Sequence, residues 1–133
     1  MATIFEKLNL GKQQEIVVLN APKDFEPELA KLPAITIHHR LESVTEAGFW
    51  LAFVTKKSEI DRLAPQIAKH AKGDAVVWFA YPKGTSKKYT CDFNRDTGWD
   101  TLKKAGFDTV RAVAIDADWT ALRFRRKEYI QRR

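Results

Sequence analysis

Residues 79–89, FAYPKGTSKKY, set lysines and hydroxyls around a proline and a glycine directly after the apolar run AVVWF. A lysine ammonium is a compact, strongly hydrated point charge suited to phosphate or carboxylate. Two other segments end in the same way: LNAPK finishes in Lys23 and FVTKK in Lys56 and Lys57, while AYPKGTSKK supplies Lys83, Lys87 and Lys88. If these segments are adjacent parallel strands, all of them end on one edge of a sheet and the lysines converge there. Thr55, Thr85, Ser86 and Tyr89 add hydroxyls, and a helix beginning near Ser58 adds its positive end. The expected chemistry is anion binding, with Lys23, Lys56, Lys83, Ser86, Lys88 and Tyr89 as ligand-contacting residues. The plainer reading is a set of solvated loops, since loops are exposed and lysine is frequent in this chain.

Other reactive side chains carry less. Arg95, Asp96 and Asp116 could touch a ligand, although a structural ion-pair set is the favoured role. Trp119, in DADWTALRF, sits at a turn, where it would wall the ligand edge or pin a hairpin; Trp50, Trp78 and Trp99 read as core. His38 and His39 are neighbours on a strand and point to opposite faces, and His70 stands alone, so no metal is expected. Cys91 precedes Asp92 without a histidine base nearby and reads as an inert thiol. Neither a G-x-S-x-G elbow nor a P-loop occurs.

The elements that must position these residues are short apolar runs separated by helical patterns, the arrangement of crossover units on a parallel sheet. EIVVLNAP, AITIHH, GFWLAFVT and AVVWFAY read as strands, and the lack of alternation in GFWLAFVT marks it as buried on both faces. KDFEPELAKLP reads as a helix through Phe25, Leu29 and Leu32, stopped by Pro33. KKSEIDRLAPQIAKHAKG reads as another, with a Ser58/Asp61 capping start, an Ile60, Leu63, Ile67 and Ala71 stripe, and Gly73 just past its end. Pro65 inside it implies a kink or two abutting helices. CDFNRDTGWDTLKKAG reads as a helix capped by Asp92 and closed by Gly106, with Gly98 weakening its middle. TVRAVAID and TALRFRRK then form an antiparallel hairpin across DADW.

Composition bounds the rest: 133 residues with ordinary apolar content make one domain, 1–133, with a real core. Of the net charge of +6, the segment from Arg123 to Arg133 contributes +5, from six basic residues and one acid. The basic tail, about 127–133, reads as a solvated edge. A lone cysteine forbids an internal disulfide, and MATIFEKLNLGKQQ has charges where a secretory leader needs apolar residues, so a cytoplasmic protein is expected. The apolar runs are too short to span a membrane as helices.

Taken together, GFWLAFVT, AVVWFAYP, GWDTLKKAGF, VRAVAID and LRFRR resemble the C-terminal half of Rossmann-like methyltransferase domains, which end in a hairpin that inserts its last strand into the sheet. The stretch WFAYPKGTSKKYTCDFNRDTGWDTLKKAGFDTVRAVAIDADWTALRFR is more narrowly similar to a family of small uncharacterised bacterial proteins, a domain of unknown function. That similarity covers nearly the whole chain and puts Tyr81, Pro82, Lys83, Arg95, Asp96, Asp116 and Trp119 on family-like positions. The resemblance implies an α/β fold: a Rossmann-like, mostly parallel six-stranded sheet in the order 2-1-3-4-6-5, strand 6 antiparallel, a shortened methyltransferase fold. It also implies a ligand site outside the carboxyl ends of the strands. The cofactor of such enzymes needs small residues after the first strand, whereas LNAPKDF has no glycine and Pro22 removes a backbone donor. The second strand ends in TIHHR with no acid to hold a ribose, so no cofactor is expected.

The leading functional expectation is a noncatalytic module for a small anionic or phosphorylated ligand held by Lys23, Lys56, Lys83 and Lys88, with Ser86, Tyr89, Arg95, Asp116 and Trp119 as further candidates. A divergent enzyme related to S-adenosylmethionine-dependent methyltransferases is the alternative. Nucleic-acid binding through the basic last strand and tail is the second, without a recognisable motif behind it. A homo-oligomer is left open.

Overall fold

A computed structural model describes residues 4–8, 10–11, 13–32, 35–40, 46–93 and 97–130. Six strands form one sheet: β1 (Glu15–Leu19), β2 (Thr36–His38), β3 (Ala47–Phe53), β4 (Ala71–Pro82), β5 (Phe107–Ala114) and β6 (Trp119–Arg126). Their order is β2-β1-β3-β4-β6-β5, with β6 antiparallel to both neighbours and the β1, β2, β3 and β4 pairs parallel. The expected topology, including the inserted last strand, is therefore observed. The sheet carries the helices α1 (Ile4–Lys7), α2 (Glu26–Ala30), α3 (Lys57–His70) and α4 (Asp100–Lys104).

Burial explains why β3 and β4 do not alternate in sequence. One face packs Trp50, Val77, Phe79 and Phe124 against Ile60, Leu63 and Ile67 of α3 and Leu102 of α4. The other packs Phe49, Leu51, Phe53 and Trp78 against Ile4 and Phe5 of α1 and Phe25 beside α2. Strands covered on both faces need apolar residues at successive positions. Trp50, Trp78 and Phe79 are fully buried, so truncating Phe79 to alanine would cost ~3–5 kcal/mol. No helix among the described residues is long and apolar enough to cross a membrane.

Several local expectations are corrected. α3 begins at Lys57 with Lys56 as its N-cap, not at Ser58. The Glu59 carboxylate reaches back to the amides of Thr55 and Lys56, which fixes the cap at Lys56, earlier than the expected Ser58. The helix runs unbroken through Pro65 rather than dividing into two. Pro65 faces solvent, where water can satisfy the carbonyl that loses its donor. Gly73 does not close the helix: the chain turns extended at Ala71, and Gly73, at φ 52°, lies in β4 where its register with β3 shifts. The helix expected over 91–106 shrinks to α4, because Gly98 adopts φ 94°, a left-handed conformation incompatible with a helix interior. Gly106, at φ 99°, does close α4. Pro33 lies outside the described residues, and α1 was not anticipated.

Candidate ligand site at the carboxyl edge

Strand polarity brings residues 20–23 after β1, 55–57 after β3 and the 83–93 loop after β4 to the same edge, together with the 115–118 turn between β5 and β6. Of the candidates there, Lys23 and Lys56 are exposed at neighbouring strand ends. Lys57 is committed to Asp61, at 2.9 Å. Hydrogen bonding from Lys57 and then from Thr101 holds the Asp61 carboxyl below its ordinary range, and Asp61 in turn raises the Lys57 ammonium.

The positive end of α3, expected to help hold an anion, is already filled. Asp92 Oδ1 accepts the Lys57 amide at 2.7 Å, and Glu59 Oε1 accepts the Thr55 and Lys56 amides at 2.8 and 3.0 Å. Two carboxylates of the chain itself thus neutralise the partial charge of the helix terminus. Asp92, expected to cap its own helix, caps this one. Its amide also donates to the Thr55 carbonyl, so the 83–93 loop is tied across the end of β3.

At its other end the loop is fastened to the hairpin turn. The Lys83 amide donates to the Asp118 carbonyl at 2.8 Å, and the Ser86 hydroxyl donates to Asp118 Oδ1 at 2.8 Å while accepting from the amides of Lys88 and Tyr89. Ser86 therefore shapes the loop rather than offering a free hydroxyl. Asp116 closes the turn itself by accepting the amides of Asp118 and Trp119. Trp119 is only 4% exposed, with its ring 4.9 Å from Tyr89 and 5.1 Å from Phe53. It pins the hairpin from beneath, leaving Tyr89 as the half-buried outer ring. Arg95, with Asp96, lies outside the described residues.

Between this loop and the start of β6 is a cleft of about 480 Å³ on the α3 side of the sheet. Its apolar floor is Tyr81 and Phe93, whose rings lie 5.8 Å apart and both rest against Trp99. Lys83, Thr90, Cys91 and Thr120 form its polar rim. The Cys91 thiol donates to the Phe93 carbonyl, at 3.0 Å, and so holds the loop's last bend. Lys83, Ser86 and Tyr89 are thus brought to one cleft, whereas Lys23, Lys56 and Lys88 are not among its lining residues. Thr120, which sequence reading missed, is the cross-strand partner of Tyr81, expected there only as a family-like position. Their juxtaposition follows only from the β4–β6 register, since strand alternation alone puts Tyr81 on the Phe79 face.

The loop after β1 follows a different course from a glycine-rich turn. Asn20 takes φ 58°, Pro22 is extended, and the chain turns so that the Phe25 ring lies 4.9 Å from Phe53. Asn20 is among the few residue types that tolerate that conformation without being glycine. Among the described residues no group of three histidine, cysteine or carboxylate side chains is placed to hold a metal. His38 instead pairs with Glu15 across β1 and β2 at 2.7 Å.

Similarity to known proteins is confined to structure: no protein-family model matches the chain and no curated protein matches it by sequence. A crystal structure of a SAM-dependent methyltransferase from Aquifex aeolicus matches with a TM-score of 0.66 at 12% identity, over 92% of this chain and 87% of that one. The mitomycin 7-O-methyltransferase MmcR matches with 0.63 at 11% identity, over 86% of this chain but 49% of the enzyme. The Methanococcus jannaschii fibrillarin pre-rRNA processing protein matches with 0.57 at 11% identity, over 89% of this chain and 68% of that one. The fold is therefore methyltransferase-like at short length. The chain spans about half of the mitomycin enzyme.

Proposed function

We propose that residues 1–133 form one Rossmann-like, cytoplasmic, noncatalytic module that binds a small ligand with an apolar body and a phosphate or carboxylate end. The observation that carries this reading is the cleft itself, lined by two aromatic rings and by Lys83. Apolar lining with a few convergent polar groups is the usual make-up of small-molecule sites. Lys23 and Lys56, exposed along the same edge, add positive potential that draws an anion toward it. The noncatalytic part rests on the carboxylates of this edge: Glu59, Asp92 and Asp116 accept backbone amides and Asp118 accepts the Ser86 hydroxyl, so each is spent on structure. Membership of a small bacterial family, which the YPK, RD with GW, and AID with WTALRF positions suggest, belongs to this reading.

The test is a thermal-shift series with phenyl phosphate, nucleoside monophosphates and S-adenosylmethionine, because a ligand of the native state raises the melting temperature by mass action. Stabilisation by a phosphorylated ring compound that disappears in Lys83→Glu supports the module. The second reading, a divergent S-adenosylmethionine-dependent enzyme, is favoured by the methyltransferases among the structural matches. Stabilisation by S-adenosylmethionine alone would establish it in place of the first.

A further inference from the structure

The face of the sheet turned away from the cleft carries an unusual row. Trp78 of β4 is the cross-strand partner of Arg123 of β6, and Arg123 is the partner of Arg111 of β5. Directly opposed residues of antiparallel strands project from the same face, so two arginines stand side by side in the row, beside a tryptophan of the α1-side core. The Arg111 guanidinium lies over the Trp78 ring, 6.0 Å from its centroid, and to reach it the side chain crosses the Arg123 position. Arg123 is partly buried, and its Nε, shielded from water, has no hydrogen-bond partner. Burial first, and then the charge of Arg125, lower its pKa, with Asp74 opposing the shift and Arg111 adding to it.

The next arginine on this face shows what the row lacks. Arg125 makes a two-pronged contact with Asp74, through Nε to Oδ1 and Nη2 to Oδ2. Among the described residues neither Arg111 nor Arg123 forms an ion pair with a carboxylate. Like charges placed directly opposite each other destabilise a sheet, and a buried unpaired donor carries the full cost of its lost hydration. An oxyanion between the two guanidinium groups would remove both penalties, because the planar fork of arginine matches phosphate oxygens in pairs. Arg111 and its neighbours on β5, the outer strand, are exposed, so the Arg111 end of the row is open to solvent.

We propose that Arg111 and Arg123 form a phosphate-binding site on the α1 side of the sheet, separate from the Lys83 cleft. The group held is a tetrahedral phosphate, either free or as part of a polynucleotide backbone. It uses none of the cleft residues and stands or falls apart from them.

The experiment compares the wild-type chain with Arg123→Met and Arg111→Met, each keeping the side chain's apolar stem. Melting temperatures are measured in phosphate and in chloride at matched ionic strength, and Arg Nε–H resonances are followed during a titration with inorganic phosphate. Phosphate should stabilise the wild type more than chloride does and shift the Arg111 and Arg123 resonances saturably. In Arg123→Met the phosphate-specific stabilisation should vanish, while the melting temperature in chloride stays level or rises because the opposed charges are gone. A parallel titration with a short oligothymidylate distinguishes the two phosphate sources by whether the same resonances respond. Equal stabilisation by phosphate and chloride, or an undiminished phosphate effect in Arg123→Met, overturns the site. If Arg123→Met does not fold, the same comparison in Arg111→Met, on an exposed strand position, decides.

Discussion

The Asp92 carboxylate and the Lys57 amide, 35 positions apart in sequence, meet at 2.7 Å and join the loop after β4 to the first turn of α3. The bond caps a helix and fixes one wall of the cleft at the same time. Truncating Asp92 to alanine should therefore destabilise the fold by ~1 kcal/mol in urea unfolding, the usual value of an N-cap, whereas Asp92→Asn should retain most of it. Equal stability of Asp92→Ala and the wild type would show that the cap contributes nothing.

Gly98 supports the same wall from inside. At φ 94°, with an added Cβ only 2.8 Å from the Phe93 Cβ, the position admits no side chain without a shift of the cleft floor. Gly98→Ala should cost at least ~1 kcal/mol and disturb the Phe93 and Trp99 ring signals. Unperturbed aromatic resonances would contradict this placement.

The Arg125–Asp74 pair makes an acid-side prediction. Hydrogen bonding from Arg125 lowers the Asp74 pKa from its ordinary 3.8, so the contribution is present above that value and is lost as the pH falls toward the depressed folded value. Both side chains are about one-third exposed, so solvent screening keeps the effect small. Asp74→Asn should narrow the stability difference between neutral and acidic pH; an unchanged acid limb would show that the pair is silent.

The loop after β1 bears on the cofactor. With Asn20 in place of glycine, Pro22 lacking an amide donor and Phe25 packed on Phe53, S-adenosylmethionine should show no micromolar binding in calorimetry. Micromolar binding would move the account to the divergent-enzyme reading.

The strands were legible because doubly buried β3 and β4 need unbroken apolar runs and because the final hairpin has its own turn signal, while their order came only with the resemblance to methyltransferase domains. The caps were not. An aspartate before a helical stretch looks the same whether it caps that helix or one far earlier, so Asp92 was misassigned. Lys56 carries no cap-type side chain, and the start of α3 depends on Glu59 reaching back to it. The lysine edge was foreseeable from strand polarity, but Lys57 pairing with Asp61 and Trp119 lying beneath Tyr89 depend on side-chain packing. Thr120 beside Tyr81 depends on a register that no local pattern encodes.

The most direct measurement of the central claim is an amide-resolved NMR titration with phenyl phosphate of the wild type and of Lys83→Glu. Lys83 contributes little to stability from its place on an open rim, so the variant should remain folded. Saturable shifts centred on Lys83, Gly84, Thr90, Phe93 and Thr120 are expected, and in Lys83→Glu their affinity should fall at least tenfold, because attraction becomes repulsion at short range. Absence of saturable shifts at those amides, or the same affinity there in a folded Lys83→Glu variant, would contradict the claim that this cleft is the ligand site.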